Sequence, residues 1–270
     1  MNWFKYFFEF YLRSSLHVSI SVWSLYRISF YYINSSQNYY LDWLVFSSSV
    51  VGYNMIKFTP IFIRDKKSIS KSISILIFSG FISGLFCFFY VNLLTQIIFL
   101  LCFVLVFFYT SPTFFKIFNL RSYSGLKIFI VALVWTLVTY LSLIIKMNFT
   151  YEFSYLIFGI QRFIFVFVLI IPFDIRDTKT DNIELKTIPQ ALGVFKSKLL
   201  GISLLIFNTT IFYFIDNISL ELIIVEVFMY IILSYALMIS NSKKHLNFTR
   251  FWVEGIPIIW FLILFILRQI

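Results

Sequence analysis

Three carboxylates, Asp174, Asp177 and Asp181, fall within one stretch, PFDIRDTKTDNIELKTIPQALG, running from Pro172 to Gly193. Their i, i+3, i+7 spacing puts all three on one face of a helix end. Like charges this close repel unless something cationic neutralises them. Oxygen-rich clusters of this kind suit magnesium, which keeps several waters and commonly bridges carboxylates to a diphosphate. A solvated charged loop is the competing reading, because Arg176, Lys179 and Lys186 lie in the same stretch and could neutralise the acids themselves. Spacing alone leaves both open. Other chemistry is sparse: Cys87 and Cys102 sit inside apolar runs and read as small core residues, and His17 and His245 are too far apart to suggest a histidine metal site.

The elements that must position these acids are read from composition. Of 270 residues, 60% are hydrophobic and 13% charged, with a mean hydropathy of +0.91. A soluble domain carries roughly 25% charged residues, so the outer surface here must meet lipid. The formal charge of +10 does not point to nucleic acid, because the charges fall in short clusters between long apolar runs, as in membrane-protein loops. Apolar runs of about 20 residues mark spans at about 16–33, 39–62, 72–90, 91–109, 126–145, 153–173, 198–215, 219–239 and 250–268. The third and fourth are nearly continuous, and Asn92, Thr95 and Gln96 mark the turn between them. Residues 1–15 read as an interfacial amphipathic segment preceding a single membrane-embedded helical domain.

Charge placement tests this division. With the N-terminus cytoplasmic, the inside segments hold Lys5 and Arg13, then Arg64, Lys66, Lys67 and Lys71, then Lys116, Arg121 and Lys127, then Arg176, Lys179, Lys186, Lys196 and Lys198, and finally Lys243, Lys244 and Arg250. These are 17 of the 22 basic residues, against only Lys146 and Arg268 outside. The expected architecture is therefore an all-α bundle of nine transmembrane helices, N-in and C-out. Arg27, Lys57, Arg162, Glu226 and Glu254 lie within or at the edge of spans; such charges face a bundle interior and find partners there.

Asp-x-x-Asp-x-x-x-Asp at Asp174, Asp177 and Asp181, followed by Lys186, Thr187, Ile188, Pro189 and the Leu192–Gly193 pair, resembles the second aspartate motif of the UbiA superfamily of intramembrane prenyltransferases. Phe107 to Thr136 is similar to that family's fourth loop and fifth helix. The family's first motif, Asn-Asp-x-x-Asp with a further Asp one turn on, is degenerate here. Asn54 matches, Met55, Phe58 and Phe62 replace the acids, and Lys57 is added.

The resemblance implies a nine-helix prenyltransferase that moves a prenyl group from an isoprenoid diphosphate to a lipophilic acceptor. It implies Asp174, Asp177 and Asp181 as catalytic, Mg2+-holding acids, and Asn54, Lys57, Arg121 and Lys186 as contacts to the diphosphate. Lys57 either binds phosphate in place of one metal or pairs with Asp174 or Asp177 across the bundle. A non-catalytic lipid-binding or accessory protein on the same scaffold is the alternative. The partners implied are a prenyl diphosphate, a lipophilic acceptor and membrane lipid, in a bacterial plasma membrane with the active face cytoplasmic. Reporter fusions after Lys67, Lys127, Lys179 and Lys244 are expected to report cytoplasm, and fusions near Asn92, Asn148 and Asn217 the opposite side; one contrary loop breaks the nine-helix scheme.

Overall fold

The computed structural model describes residues 3–33, 37–64, 70–110, 125–145, 153–215, 218–242 and 246–269, and the backbone alone at 4, 59–64 and 184. Among the described residues every regular element is helical. A surface helix, α1 (Trp3–Arg13), exposes Trp3, Tyr6 and Phe7 and leads into α2 (Leu16–Tyr32) and α3 (Tyr39–Arg64). Next come α4 (Lys71–Phe88), α5 (Leu93–Thr110) and α6 (Leu126–Thr136), the last continuing through a π-turn at Leu137–Leu141 into α7 (Ser142–Ile145). After α8 (Phe153–Asp177) the short α9 (Ile188–Leu192) leads to α10 (Val194–Thr210), α11 (Leu220–Ile239), a π-turn at Phe248–Val253 and α12 (Ile256–Leu267).

Each expected span falls on a helix. Among the described residues, seven are long and apolar enough to cross a membrane: Lys71–Phe88, Leu93–Thr110, Leu126–Ile145, Phe153–Asp177, Val194–Phe214, Leu220–Ile239 and Phe248–Leu267. The first two expected spans, α2 with 17 residues and the 26-residue α3, are more polar. That polarity is spent inward. Ser14, Ser15, Ser19, Ser21, Ser24 and Ser29 are all buried along the α1–α2 corner and α2, where small hydroxyl residues let helix backbones approach closely.

Asn92 does mark the α4–α5 turn. Its Oδ1 accepts from the Thr95 N–H at 2.9 Å, a helix N-cap, and Gln96 Nε2 donates back to the Phe88 and Val91 carbonyls at 2.9 and 3.2 Å. In hydrocarbon an unpaired carbonyl is costly, so the residues that make the turn also satisfy it.

Helix neighbours close into a ring. α2 packs on α3, α3 on α4 and α5, α5 on α7, α6 on α8, α8 on α10, α10 on α11, α11 on α12, and α12 back on α2. A close approach is made at Gly201 of α10, where an added Cβ would lie 2.5 Å from Leu237 Cδ2 of α11 and 3.3 Å from Val168 Cγ1 of α8.

The charges inside the spans are satisfied internally. Arg27 pairs with Asp42 at 3.2 Å. Arg162 donates to the Leu25 carbonyl at 2.8 Å and to Ser29 Oγ at 3.2 Å, and its guanidinium lies 5.9 Å from the Trp260 ring centre. Buried Glu226, within electrostatic reach of Arg162, accepts from Tyr32 Oη at 2.5 Å and from Tyr230 Oη. This network ties α2, α8, α11 and α12 together. Replacing Arg162→Leu strands the Glu226 charge, at a cost of about 3–5 kcal/mol. Thermal unfolding in detergent should show a large drop for Arg162→Leu and a partial recovery in Arg162→Leu/Glu226→Leu; equal losses in the two would break the assignment.

Candidate functional site

The charges at two helix ends oppose the backbone that carries them. Asp174 and Asp177 lie in the last turn of α8, at the negative end of its dipole, and Lys127 lies in the first turn of α6, at a positive end. Packing α6 against α8 brings the two together. Lys127 Nζ stands 2.9 Å from Asp174 Oδ1 and 2.9 Å from Asp181 Oδ2, bridging them. The Asp174 side chain is 2% exposed and that of Lys127 16%, so the bridge is largely withdrawn from solvent.

Local bonds hold the bridge in register. The Gly125 N–H, just before α6, donates to the Leu185 carbonyl at 3.0 Å, fastening the start of α6 to the loop after α8. Gly125 has φ 72°, a backbone that favours glycine. At the start of α9 the Thr187 N–H donates to Gln190 Oε1 at 3.0 Å, and Gln190 Nε2 reaches the Asp181 carbonyl at 3.1 Å. The Lys186-Thr187-Ile188-Pro189 stretch thus braces the Asp181 loop. Lys186 itself stands exposed with φ 40°.

Asp177 faces elsewhere. Arg176 grips it bidentately, Nε to Oδ1 at 2.7 Å and Nη2 to Oδ2 at 2.6 Å, while its Nη1 donates to Thr249 Oγ1 at 2.5 Å in the π-turn before α12. Glu254, just beyond that turn, lies within electrostatic reach of Arg250, Lys57 and Arg176. A second charged cluster therefore joins the ends of α3, α8 and α12.

The expected one-face triad is thus corrected. α8 ends at Asp177, and Asp181 follows in the turn beyond. Asp174 and Asp181 meet across Lys127, whereas Asp177 turns to Arg176. Among the described residues no three His, Cys, Asp or Glu side chains converge as a metal-holding group. As arranged, Asp174, Asp177 and Asp181 do not fit a divalent ion, because an ammonium fills the gap between two of them and a guanidinium occupies the third. The expected neutralising cations are corrected too: Arg176 serves, but Lys179 and Lys186 are exposed and Lys127 does the rest.

Asn54 and Lys57 do other work. Asn54, fully buried, donates from Nδ2 to the Ser14 and Val50 carbonyls, both at 2.8 Å, and its Oδ1 accepts from Ser15 Oγ at 3.3 Å. Lys57 Nζ donates to the Arg13 carbonyl at 2.7 Å and the Leu12 carbonyl at 3.4 Å, capping the C-terminus of α1, where a cation suits the dipole. The alternative pairing of Lys57 with Asp174 or Asp177 is not the one formed, since those acids take Lys127 and Arg176. Ser15, with φ 61°, makes the left-handed corner that these side chains hold. Tyr11 of α1 completes it, its hydroxyl 2.8 Å from His17 Nδ1; burial, and then the Glu254 charge, push that hydroxyl above its ordinary pKa and keep it protonated. Arg121 and Phe62's side chain lie outside the described residues.

Beside this polar end lies an apolar cavity of about 390 Å³, whose walls include Tyr53, Met55 and Ile56 of α3, Gly84 and Phe88 of α4, and Trp135 of α6. Trp135 Nε1 donates to Tyr53 Oη at 2.5 Å, and Tyr53 is within electrostatic reach of Glu254, so this wall borders the charged cluster. Sequence reasoning missed Lys127, Arg250 and Glu254 as members of one polar end. The available signal was Lys127 itself, a cation just after the turn-forming Gly125, where a helix dipole disfavours it.

No protein-family model matches the sequence, and no curated protein matches it. Solved structures do. The chain is similar to a UbiA homolog from Archaeoglobus fulgidus bound to GPP and Mg2+, with TM-score 0.66 and 12% identity over 96% of this chain and 98% of that one. The same homolog bound to DMAPP and Mg2+ gives TM-score 0.65 at 12% identity, with the same coverage. An apo UbiA homolog from Aeropyrum pernix K1 gives TM-score 0.64 at 11% identity, over 91% of this chain and 98% of that one. The chain has the UbiA fold and is an integral membrane protein.

Because Asn54 pairs the Ser14 carbonyl and Ser15 hydroxyl inside the protein, Asn54→Leu leaves buried polar groups unpaired, each costing about 1–3 kcal/mol. The expected outcome is a lower unfolding temperature together with faster proteolytic release of α1. Wild-type stability in Asn54→Leu would return Asn54 to the ligand contacts.

Proposed function

We propose that this chain is a member of the UbiA superfamily and binds a prenyl diphosphate, transferring its prenyl group to a lipophilic acceptor. The observation that carries this reading is the apolar chamber of about 390 Å³ set against the Lys57, Arg176, Arg250 and Glu254 cluster, on a fold whose solved relatives hold GPP and DMAPP. The volume lies within the range of small-molecule pockets, and the division into an apolar wall and a few polar groups is what an anionic head on a prenyl tail requires.

In the reaction the carbon–oxygen bond of the allylic diphosphate breaks and its electron pair leaves with the diphosphate. The allylic carbon then bonds to the acceptor nucleophile, which gives up its proton. Cations placed before the reaction at the diphosphate stabilise the charge that develops there, and Tyr53 and Trp135 offer aromatic faces to the allylic cation. In this reading the protein spans the membrane nine times, N-in, with this polar end toward the cytoplasm of a bacterial plasma membrane.

A second reading has one specific observation in its favour. Met55 lines the chamber at a position where the family's first motif carries an acid, and Asn54 is consumed by the α1–α2 corner. A chamber that holds a prenyl lipid without reacting fits these facts as well. Purified protein in nanodiscs separates the readings. Transfer predicts saturable GPP or DMAPP binding that weakens at least about tenfold, or 1.4 kcal/mol, in Arg250→Gln, and diphosphate release on adding a lipophilic acceptor. Binding without release supports the lipid-holding protein, and no binding at any chain length defeats both.

A further inference from the structure

We infer that Lys127 is a tethered cation standing where a divalent ion would bridge Asp174 and Asp181, so that the site receives its anionic ligand without a metal. The ammonium takes the place of a bridging charge: one positive centre 2.9 Å from an oxygen of each carboxylate, the spacing of charge-assisted hydrogen bonds. Its place is fixed from both sides, by the Gly125–Leu185 bond before it and by Gln190 holding the Asp181 carbonyl beyond it.

Three further observations lead the same way. Asp177, the third acid, is occupied by both arms of Arg176. The facing part of α3 offers no carboxylate: Met55 and Ile56 line the chamber, and Asn54 is bonded to the α1–α2 corner. Finally, to admit a divalent ion the Lys127 ammonium must give up both carboxylates while remaining near the positive end of α6, which the helix dipole opposes. Charge compensation that a metal supplies from solution is here part of the chain. Arg250, within electrostatic reach of Glu254, remains to attract a diphosphate directly, as a guanidinium does.

The part of this inference that concerns the diphosphate rests on the proposed function; the part that concerns the metal does not, and the experiment keeps them apart. Full-length protein in detergent is titrated with Mn2+ and followed by electron paramagnetic resonance. Wild type is expected to show no saturable Mn2+ site. Lys127→Ala is expected to gain one, and Lys127→Ala/Asp181→Asn to lose it again. GPP binding by wild type is expected to be the same in EDTA as in Mg2+. A saturable wild-type Mn2+ site, or a Lys127→Ala protein that gains none, overturns the inference. Should Lys127→Ala not fold, wild-type unfolding temperatures decide, since a metal bound only by the folded state raises them. Equal values in EDTA, Mg2+ and Mn2+ support the tethered cation, and a rise with either ion refutes it. Absence of GPP binding in both EDTA and Mg2+ defeats the proposed function and leaves the Mn2+ result to stand alone.

Discussion

A lysine at the wrong end of one helix and aspartates at the wrong end of another create a shared electrostatic deficit, and bringing them together relieves both. Lys127 in the first turn of α6 and Asp174 in the last turn of α8 are each disfavoured by their own helix dipole. In a low-dielectric bundle neither can be left alone, so the bridge to Asp174 and Asp181 fixes the height of α6 against α8. Much of the nearby structure serves that registry. The Gly125 turn aims α6, the loop from Asp181 to Leu185 returns to meet it, and Gln190 at the start of α9 holds that loop from the other side.

The opposite half of the polar end is built on a different economy. Asn54 and Lys57 lie one helical turn apart on α3, and both point to the place where α1 turns into α2. There they satisfy carbonyls that a left-handed corner at Ser15 would otherwise strand beside the hydrocarbon. A side chain whose polar atoms are committed to this corner has little left for a ligand. With this turn of α3 given to holding the corner, its other positions, Met55 and Ile56, can be apolar and still leave the fold closed.

How much of this was legible depended on the range of the interaction. The helices were, because a run of about 20 apolar residues has few other uses, and the Asn92 turn was, because its cap and its brace lie within eight residues. The Asp174, Asp177 and Asp181 stretch was legible as a charged site but not as two separate ion pairs. The residue that divides it, Lys127, is 54 positions from Asp181, and in the sequence it looks like one more cytoplasmic charge. The same holds for Lys57. Its spacing marked it as a cation within a span, yet its partners are carbonyls 44 and 45 residues away that carry no side-chain signature at all. Local spacing identifies which side chains are chemically capable; helix packing decides what they meet.

The bundle has two polar layers, and their separation bears on the chamber. Arg162 and Asp174 stand 12 residues apart on α8, about 18 Å at 1.5 Å per residue. The lower layer, with Lys127, Arg176 and Glu254, joins α3, α6, α8 and the approach to α12; the other, with Arg162, Glu226, Tyr32 and Tyr230, joins α2, α8 and α11. Each is costly to break, so together they hold helix heights at two levels. Two walls of the cavity, α3 and α6, are pinned at the lower layer. In contrast α4 and α5, which supply Gly84, Phe88, Phe99 and Phe103, belong to neither layer, so any change in the cavity's width falls to α4 and α5. The cavity wall can be made of residues chosen for their surface, such as Phe88, Met55 and Trp135. The cost of an apolar cavity falls on the helix packing around it rather than on the charge pairs, which set helix heights more than they add stability.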